Sequence, residues 1–173
     1  MATDILKPLR LGKEIFHPQS FDEKSFIMKW TMKGKGMVPP HIHRFADEHF
    51  AITRGEVNFR VNGKTILKKE GEELLVPKGT PHSIRNRTDK EIEIIVTYSP
   101  CADTHRMFEI MTILDESNSG SMKTLMKYFY LSPRLGLKPF STPHPAIASK
   151  TINLIATVIG KCSGWDKHLR SFR

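Results

Sequence analysis

At 173 residues, with 39% hydrophobic content, the chain is long enough for one domain of ordinary size and an appendage. Its 27 Lys and Arg against 18 Asp and Glu leave a net charge of +9, split as 17 against 13 over residues 1–100 and 10 against 5 over residues 101–173. The cations are dispersed, with no basic run interleaved with aromatics. That excludes a nucleic-acid grip and leaves a solvated surface able to attract an anionic substrate or an acidic lipid surface. Asp4, Lys7 and Arg10 interrupt any apolar stretch after Met1, so no signal peptide is expected. The two cysteines, Cys101 and Cys162, make no disulfide framework, and a reducing cytoplasm is the expected compartment.

Residues 1–20 read as an N-terminal arm with a short edge strand near Lys13–Phe16. Ser25–Lys33 alternates as a strand, with Phe26, Met28 and Trp30 on one face and Ile27 on the other. Then comes His41-Ile42-His43-Arg44-Phe45-Ala46-Asp47-Glu48. Histidines at i and i+2 on an extended strand project from one face. A carboxylate shortly after them can return on the next strand, and His82 can arrive from a later one. Three imidazoles and a carboxylate converging inside a barrel suit a borderline divalent metal, with positions left open for substrate or oxygen.

Glu48–Arg54 and Glu56–Val61 are expected to form a hairpin around Arg54-Gly55. Asn62-Gly63 is a second hairpin turn, because both residues tolerate positive φ, and Lys64–Lys68 returns from it. Glu73–Val76, Pro81–Arg87 and Glu91–Tyr98 complete the set, with Thr88-Asp89-Lys90 as the last turn and Pro100 closing it. Short strands at this spacing indicate a sandwich or barrel.

Beyond residue 100 the period changes. Asp103 can cap a helix in which Met107, Ile110, Met111 and Leu114 recur at helical spacing. Asn118-Ser119-Gly120 interrupts it, and Ser121 can cap a second helix with Met122, Leu125, Met126 and Phe129 on one face and Pro133 past its end. Pro139–Pro145 is a Pro-rich connector, and Ala146–Ile159 reads as a third helix ended by Gly160. The stripes are packing faces, laid on the barrel, over its mouth, or against a symmetry mate. The apolar stretch Thr151–Ile159 is far short of the ~20 residues of a spanning helix, although Trp165 with Lys161, Lys167 and Arg170 would suit an interfacial anchor.

Glycines and prolines make the histidine pattern more specific. The first segment reads His41-x-His43-x4-Glu48-x6-Gly55, and the second Gly71-x5-Pro77-x-Gly79-x2-His82-x3-Asn86. Together they resemble the two signature motifs of the cupin superfamily, with Glu56–Glu70 as the short spacer of compact microbial members. The first motif departs only at its start, where four residues separate Gly36 from His41 and six separate Gly34 from it, instead of five. The resemblance implies a mainly β fold, a single RmlC-like jelly-roll barrel over residues 1–100, with a helical extension over residues 101–173. It also implies a metal site of His41, His43, Glu48 and His82. Spacing to Gly55 favours Glu48 over Asp47, which then points outward, and His49, of opposite parity, faces away. His17, His105, His144 and His168 have no partner at ligand spacing.

Parity then gives the cavity wall. Phe50 and Ile52 share the face of Glu48, and Ile84 and Asn86 that of His82. On the last strand Ile92, Ile94, Val96 and Tyr98 are the more apolar set and are assigned inward. Tyr98 is the one extra group able to donate a proton. A mostly apolar cavity around a polar metal is the common form of a small-molecule site.

Cupin activities are broad, and the fold alone selects none of them. The reading favoured here is a metal-dependent oxidoreductase of dioxygenase type, holding one divalent ion (Fe, Mn, Ni or Zn) and acting on a small, partly aromatic or enolic molecule. The alternatives are a small-ligand binding or sensor module without catalysis, and an oligomerisation platform that the metal merely stabilises. A homodimer is expected, from the resemblance and the three apolar stripes.

Overall fold

A computed structural model describes residues 7–114, 122–137 and 146–172 of the chain. Ten strands precede three helices: β1 (Leu9–Leu11), β2 (Glu14–Phe21), β3 (Phe26–Met32), β4 (Met37–His41), β5 (Asp47–Arg54), β6 (Glu56–Val61), β7 (Lys64–Lys69), β8 (Glu73–Val76), β9 (His82–Arg85), β10 (Ile92–Ser99), α1 (Thr104–Leu114), α2 (Met122–Leu131) and α3 (Ala146–Cys162). They build the expected jelly roll as two antiparallel layers, a six-stranded sheet in the order β1-β2-β3-β10-β5-β8 and a four-stranded sheet in the order β4-β9-β6-β7. Among the described residues no ladder joins the two sheets into a closed barrel.

Alternation fixes which face turns inward. Phe26, Met28, Trp30 and Met32 on β3, and Ile92, Ile94, Val96 and Tyr98 on β10, are all buried, and the register sets the two rows side by side. Each side chain of this size contributes roughly 1.5–3 kcal/mol on burial. The outer face between them is held by charge, with Lys29 Nζ 2.8 Å from Glu93 and Arg54 3.2 Å from the same carboxylate.

Two expectations about the strands need correction. The arm carries two paired strands, β1 and β2, rather than one short edge strand. Arg54-Gly55 is not a hairpin, because β5 lies in the six-stranded sheet and β6 in the four-stranded one. Gly55, at φ +86°, turns the chain from one layer into the other, where a Cβ would lie 2.8 Å from Ile92 Cγ2. The Asn62-Gly63 turn joins β6 and β7 as expected, with Val61 opposite Lys64.

The helices extend the same core. Phe108 of α1 packs on Phe16 and Phe26, ring centroids 5.2 and 5.5 Å apart, and so covers the inner side of β2 and β3. On α2 the expected face is corrected: Leu125, Met126 and Phe129 are only half-buried, while Thr124, Lys127, Tyr128 and Leu131 are fully buried. The helix lies between α1 and α3, so more than one of its faces is covered. Gly160 does not end the third helix, which runs on to Cys162. It is buried against Tyr130, where a Cβ would come 2.2 Å from Cδ2. Trp165 is also buried, edge-on to Tyr130, so it is no interfacial anchor. The expected break at Asn118-Ser119-Gly120, the Ser121 cap and the Pro139–Pro145 connector lie outside the described residues.

Candidate metal centre

Register brings the four ligand candidates together. In the four-stranded sheet His41 stands directly opposite His82. In the six-stranded sheet Glu48 stands between Tyr98 and Val76. The two layers face each other, and His82 Nε2 lies 2.8 Å from Glu48 Oε2. His43 completes the set from a different element than expected: β4 ends at His41, so His43 belongs to the loop leading into β5. Its carbonyl accepts a 2.7 Å hydrogen bond from the Gly79 amide, which ties that loop to the turn before β9. His43 Nε2 then sits 3.6 Å from Glu48 Oε2. One donor atom from each of His41, His43, Glu48 and His82 falls within 4.8 Å of all the others, a spread that could hold a single metal ion.

The ring tautomers are set by backbone. Nδ1–H of His41 donates to the Pro39 carbonyl at 2.9 Å, and Nδ1–H of His82 to the Thr80 carbonyl at 3.0 Å. A carbonyl only accepts, so in the neutral form of either ring it is Nε2 that carries the lone pair, as ligating histidines require. His82 Nε2 and Glu48 Oε2 are both buried and, despite their 2.8 Å approach, make no well-directed hydrogen bond. Two orphaned buried polar atoms carry a desolvation cost. Aimed at a common point with two further imidazoles, they fit a divalent metal with a nitrogen-rich donor set.

Electrostatics agree. Burial alone would raise the Glu48 carboxyl, but His43, His82 and His41 around it hold it down to about 2, so it is ionised. Burial lowers His41 to about 4, with His82 adding to the effect, and burial likewise lowers His43. Both rings are therefore neutral near pH 7. The Glu48 partner outweighs burial at His82 and raises it. Tyr98 stands opposite Glu48 across the β5–β10 ladder with its ring 5.1 Å from that of His43, and burial, with the Glu48 charge adding to it, raises its hydroxyl far above the usual range, so the phenol keeps its proton.

Beside this cluster the Phe50 ring is 6.3 Å from that of His82, and Phe59 packs on Phe50 at 4.8 Å. Val96 is the β10 neighbour of Phe50, and Ile84 stands opposite Phe59. Ile52 is buried one pleat farther along. Asn86 is buried too, but its amide donates to the Lys33 and Lys90 carbonyls at 3.2 and 2.7 Å while its oxygen accepts from Thr88, so it clamps the turns at the far end of β9. Asp47 Oδ1 accepts from the Lys78 amide at 2.8 Å, away from the ligands. His49 pairs with Glu73 on the outer face at 3.0 Å. Phe59 was legible from the alternation of Val57, Phe59 and Val61. The Pro39 and Thr80 carbonyls were not, because their direction depends on the fold.

Residues 28–98 match the family model described as a cupin domain. That segment is similar to a cupin domain. Over 65 residues it is 32% identical to the tetracenomycin polyketide synthase protein TcmJ of Streptomyces glaucescens, covering 38% of this chain and 44% of that protein. The chain thus spans less than half the length of that curated relative. Among solved structures it is similar to KdgF of a Halomonas species, with TM-score 0.54 and 14% identity over 57% of this chain and 90% of that one. It is also similar to an RmlC-like cupin of Shewanella frigidimarina, with TM-score 0.53 and 18% identity over 61% and 92%. At these identities the structures speak for the fold of the cupin domain alone.

Proposed function

We propose that the chain is a metal-dependent oxidoreductase of dioxygenase type, acting on a small, partly aromatic or enolic molecule. His41, His43, Glu48 and His82 would hold one Fe, Mn or Ni ion. The observation that carries this reading is the convergence of the Nε2 atoms of His41 and His82, each with Nδ1 committed to a backbone carbonyl, on the buried, ionised Glu48. Four protein ligands leave positions free on a metal that prefers more, and such an ion supplies Lewis-acid polarisation of substrate oxygens or access to oxygen chemistry. The chain's own residues do the rest. The Pro39 and Thr80 carbonyls orient His41 and His82, and the protonated Tyr98 stands opposite Glu48. The buried Phe50, Phe59, Ile84 and Val96 make the surroundings of the ligands apolar, which would suit a flat organic substrate. The polyketide in the name of the TcmJ relative supports an aromatic or enolic substrate.

Elemental analysis of protein purified without affinity tag or chelator, beside the His82→Ala variant, tests the reading. About one redox-active ion per chain, lost in the variant and accompanied by oxygen uptake with an enolic or catecholic substrate, is the expected result. Zinc or no metal, with folding of the variant unchanged, would move the assignment to a ligand-binding module.

A further inference from the structure

The outward face of α3 is apolar. At about 100° per residue Leu154, Ile155, Val158 and Ile159 share one arc of the helix, and they are 64%, 47%, 54% and 40% exposed. The opposite arc carries buried Ala156 and Gly160, the latter seated on the Tyr130 ring. The helix thus docks by its small side and shows its large aliphatic side chains to solvent, the reverse of an ordinary surface helix. Scattered exposed apolar residues need no explanation, but a contiguous row marks an interaction surface.

The surroundings of the row are basic. Lys161 is exposed at its edge, and exposed Lys167 follows. From residue 146 onward the sequence holds Lys150, Lys161, Lys167, Arg170 and Arg173 against one carboxylate, Asp166. Asp166 already accepts a hydrogen bond from the Tyr130 hydroxyl at 2.8 Å.

We propose that α3 lies in the plane of an anionic lipid surface, its aliphatic arc among the acyl chains and Lys161 and Lys167 on the headgroup phosphates. Charge selects this occupant. Two copies packed arc to arc would bring the same lysines to one rim and join two chains of +9 each, whereas acidic lipid neutralises them. The helix cannot do more than lie on the surface: no helix among the described residues is long and apolar enough to cross a membrane. An apolar face bordered by long-stemmed lysines that reach back to the headgroups is the composition of an interfacial helix.

Cys162 provides the probe. It is free and exposed, and it falls on the same arc, between Val158 and Ile155, whereas Cys101 is 3% exposed and protected from labelling. The full chain, labelled at Cys162 with a polarity-sensitive thiol fluorophore, is mixed with phosphatidylcholine vesicles or with vesicles of equal parts phosphatidylcholine and phosphatidylglycerol. The expected result is a blue shift and co-sedimentation with the anionic vesicles, at least about tenfold weaker with the neutral ones and reversed by salt. Val158→Glu abolishes both signals and Lys161→Glu weakens them, while near-ultraviolet circular dichroism stays unchanged. Binding to neither vesicle, or to both equally, overturns the proposal. So does a lipid-independent shift that grows with protein concentration and vanishes in Val158→Glu, which would assign the arc to a second copy.

Discussion

At the residue scale the candidate centre is a set of side chains whose protonation is fixed by their neighbours. Tyr98 is the neighbour best suited to a test, since it stands opposite Glu48 across the sheet without being a ligand. Tyr98→Phe keeps the ring that packs on Phe26 and His43 and removes only the hydroxyl. Partners of this kind tune affinity by about 10–100-fold, so competition with a chelator should show metal binding weakened by that factor in an otherwise normally folded variant. Glu14 offers a separate pH signature. Burial outweighs the amide of Met37, which donates to Oε1 at 3.1 Å, and raises its carboxyl from 4.5 to about 7. A raised carboxyl favours folding while it stays protonated. Its contribution is full below pH 4.5 and lost as pH rises through 7. Glu14→Gln keeps the acceptor and cannot ionise, so urea titrations should show it more stable than the parent by about 1–3 kcal/mol at pH 8 and indistinguishable at pH 4.

At the element scale the strands follow their sequence pattern closely, and the helices follow it less. A period of two leaves one choice of inward face, and Ile92, Ile94, Val96 and Tyr98 take it. A helix of mixed polarity has several, and on α2 the neighbours on two sides select Thr124, Lys127, Tyr128 and Leu131. Gly160 shows the difference most sharply. As a residue it reads as a helix stop, yet it lies within α3 because only hydrogen fits against Tyr130. Alanine is the better helix former by about 1 kcal/mol. The clash at 2.2 Å nevertheless predicts that Gly160→Ala lowers stability, by about 1–3 kcal/mol in denaturant unfolding. A stabilised variant would mean that α3 and Tyr130 are not packed this way.

At the scale of the whole molecule, two sheets and a helical cover meet in one continuous core, and the ligands come from both sheets and a loop between them. A metal bound there ties the layers together only in the folded state. At a concentration about one hundred times its dissociation constant, an ion would add about 2.7 kcal/mol. For a chain of this size that corresponds to a rise in Tm of about 5–10 °C. Calorimetry should show this rise on adding Fe, Mn, Ni or Zn to chelator-treated protein, and no rise in the His82→Ala variant.

The sequence by itself determined the strands beyond the N-terminal arm, the Asn62-Gly63 hairpin, the inward face of β10 and the four ligand candidates, because period-two alternation and turn chemistry act over a few residues. Only the tertiary structure decided that Arg54-Gly55 crosses between sheets, that His43 reaches the centre from a loop, and that Asn86 clamps a turn. It also decided which atoms of His41 and His82 face Glu48, and that Trp165 is buried while the aliphatic arc of α3 is not. Each of these depends on what stands opposite a residue across a sheet or a helix contact, and that neighbour is distant in the chain.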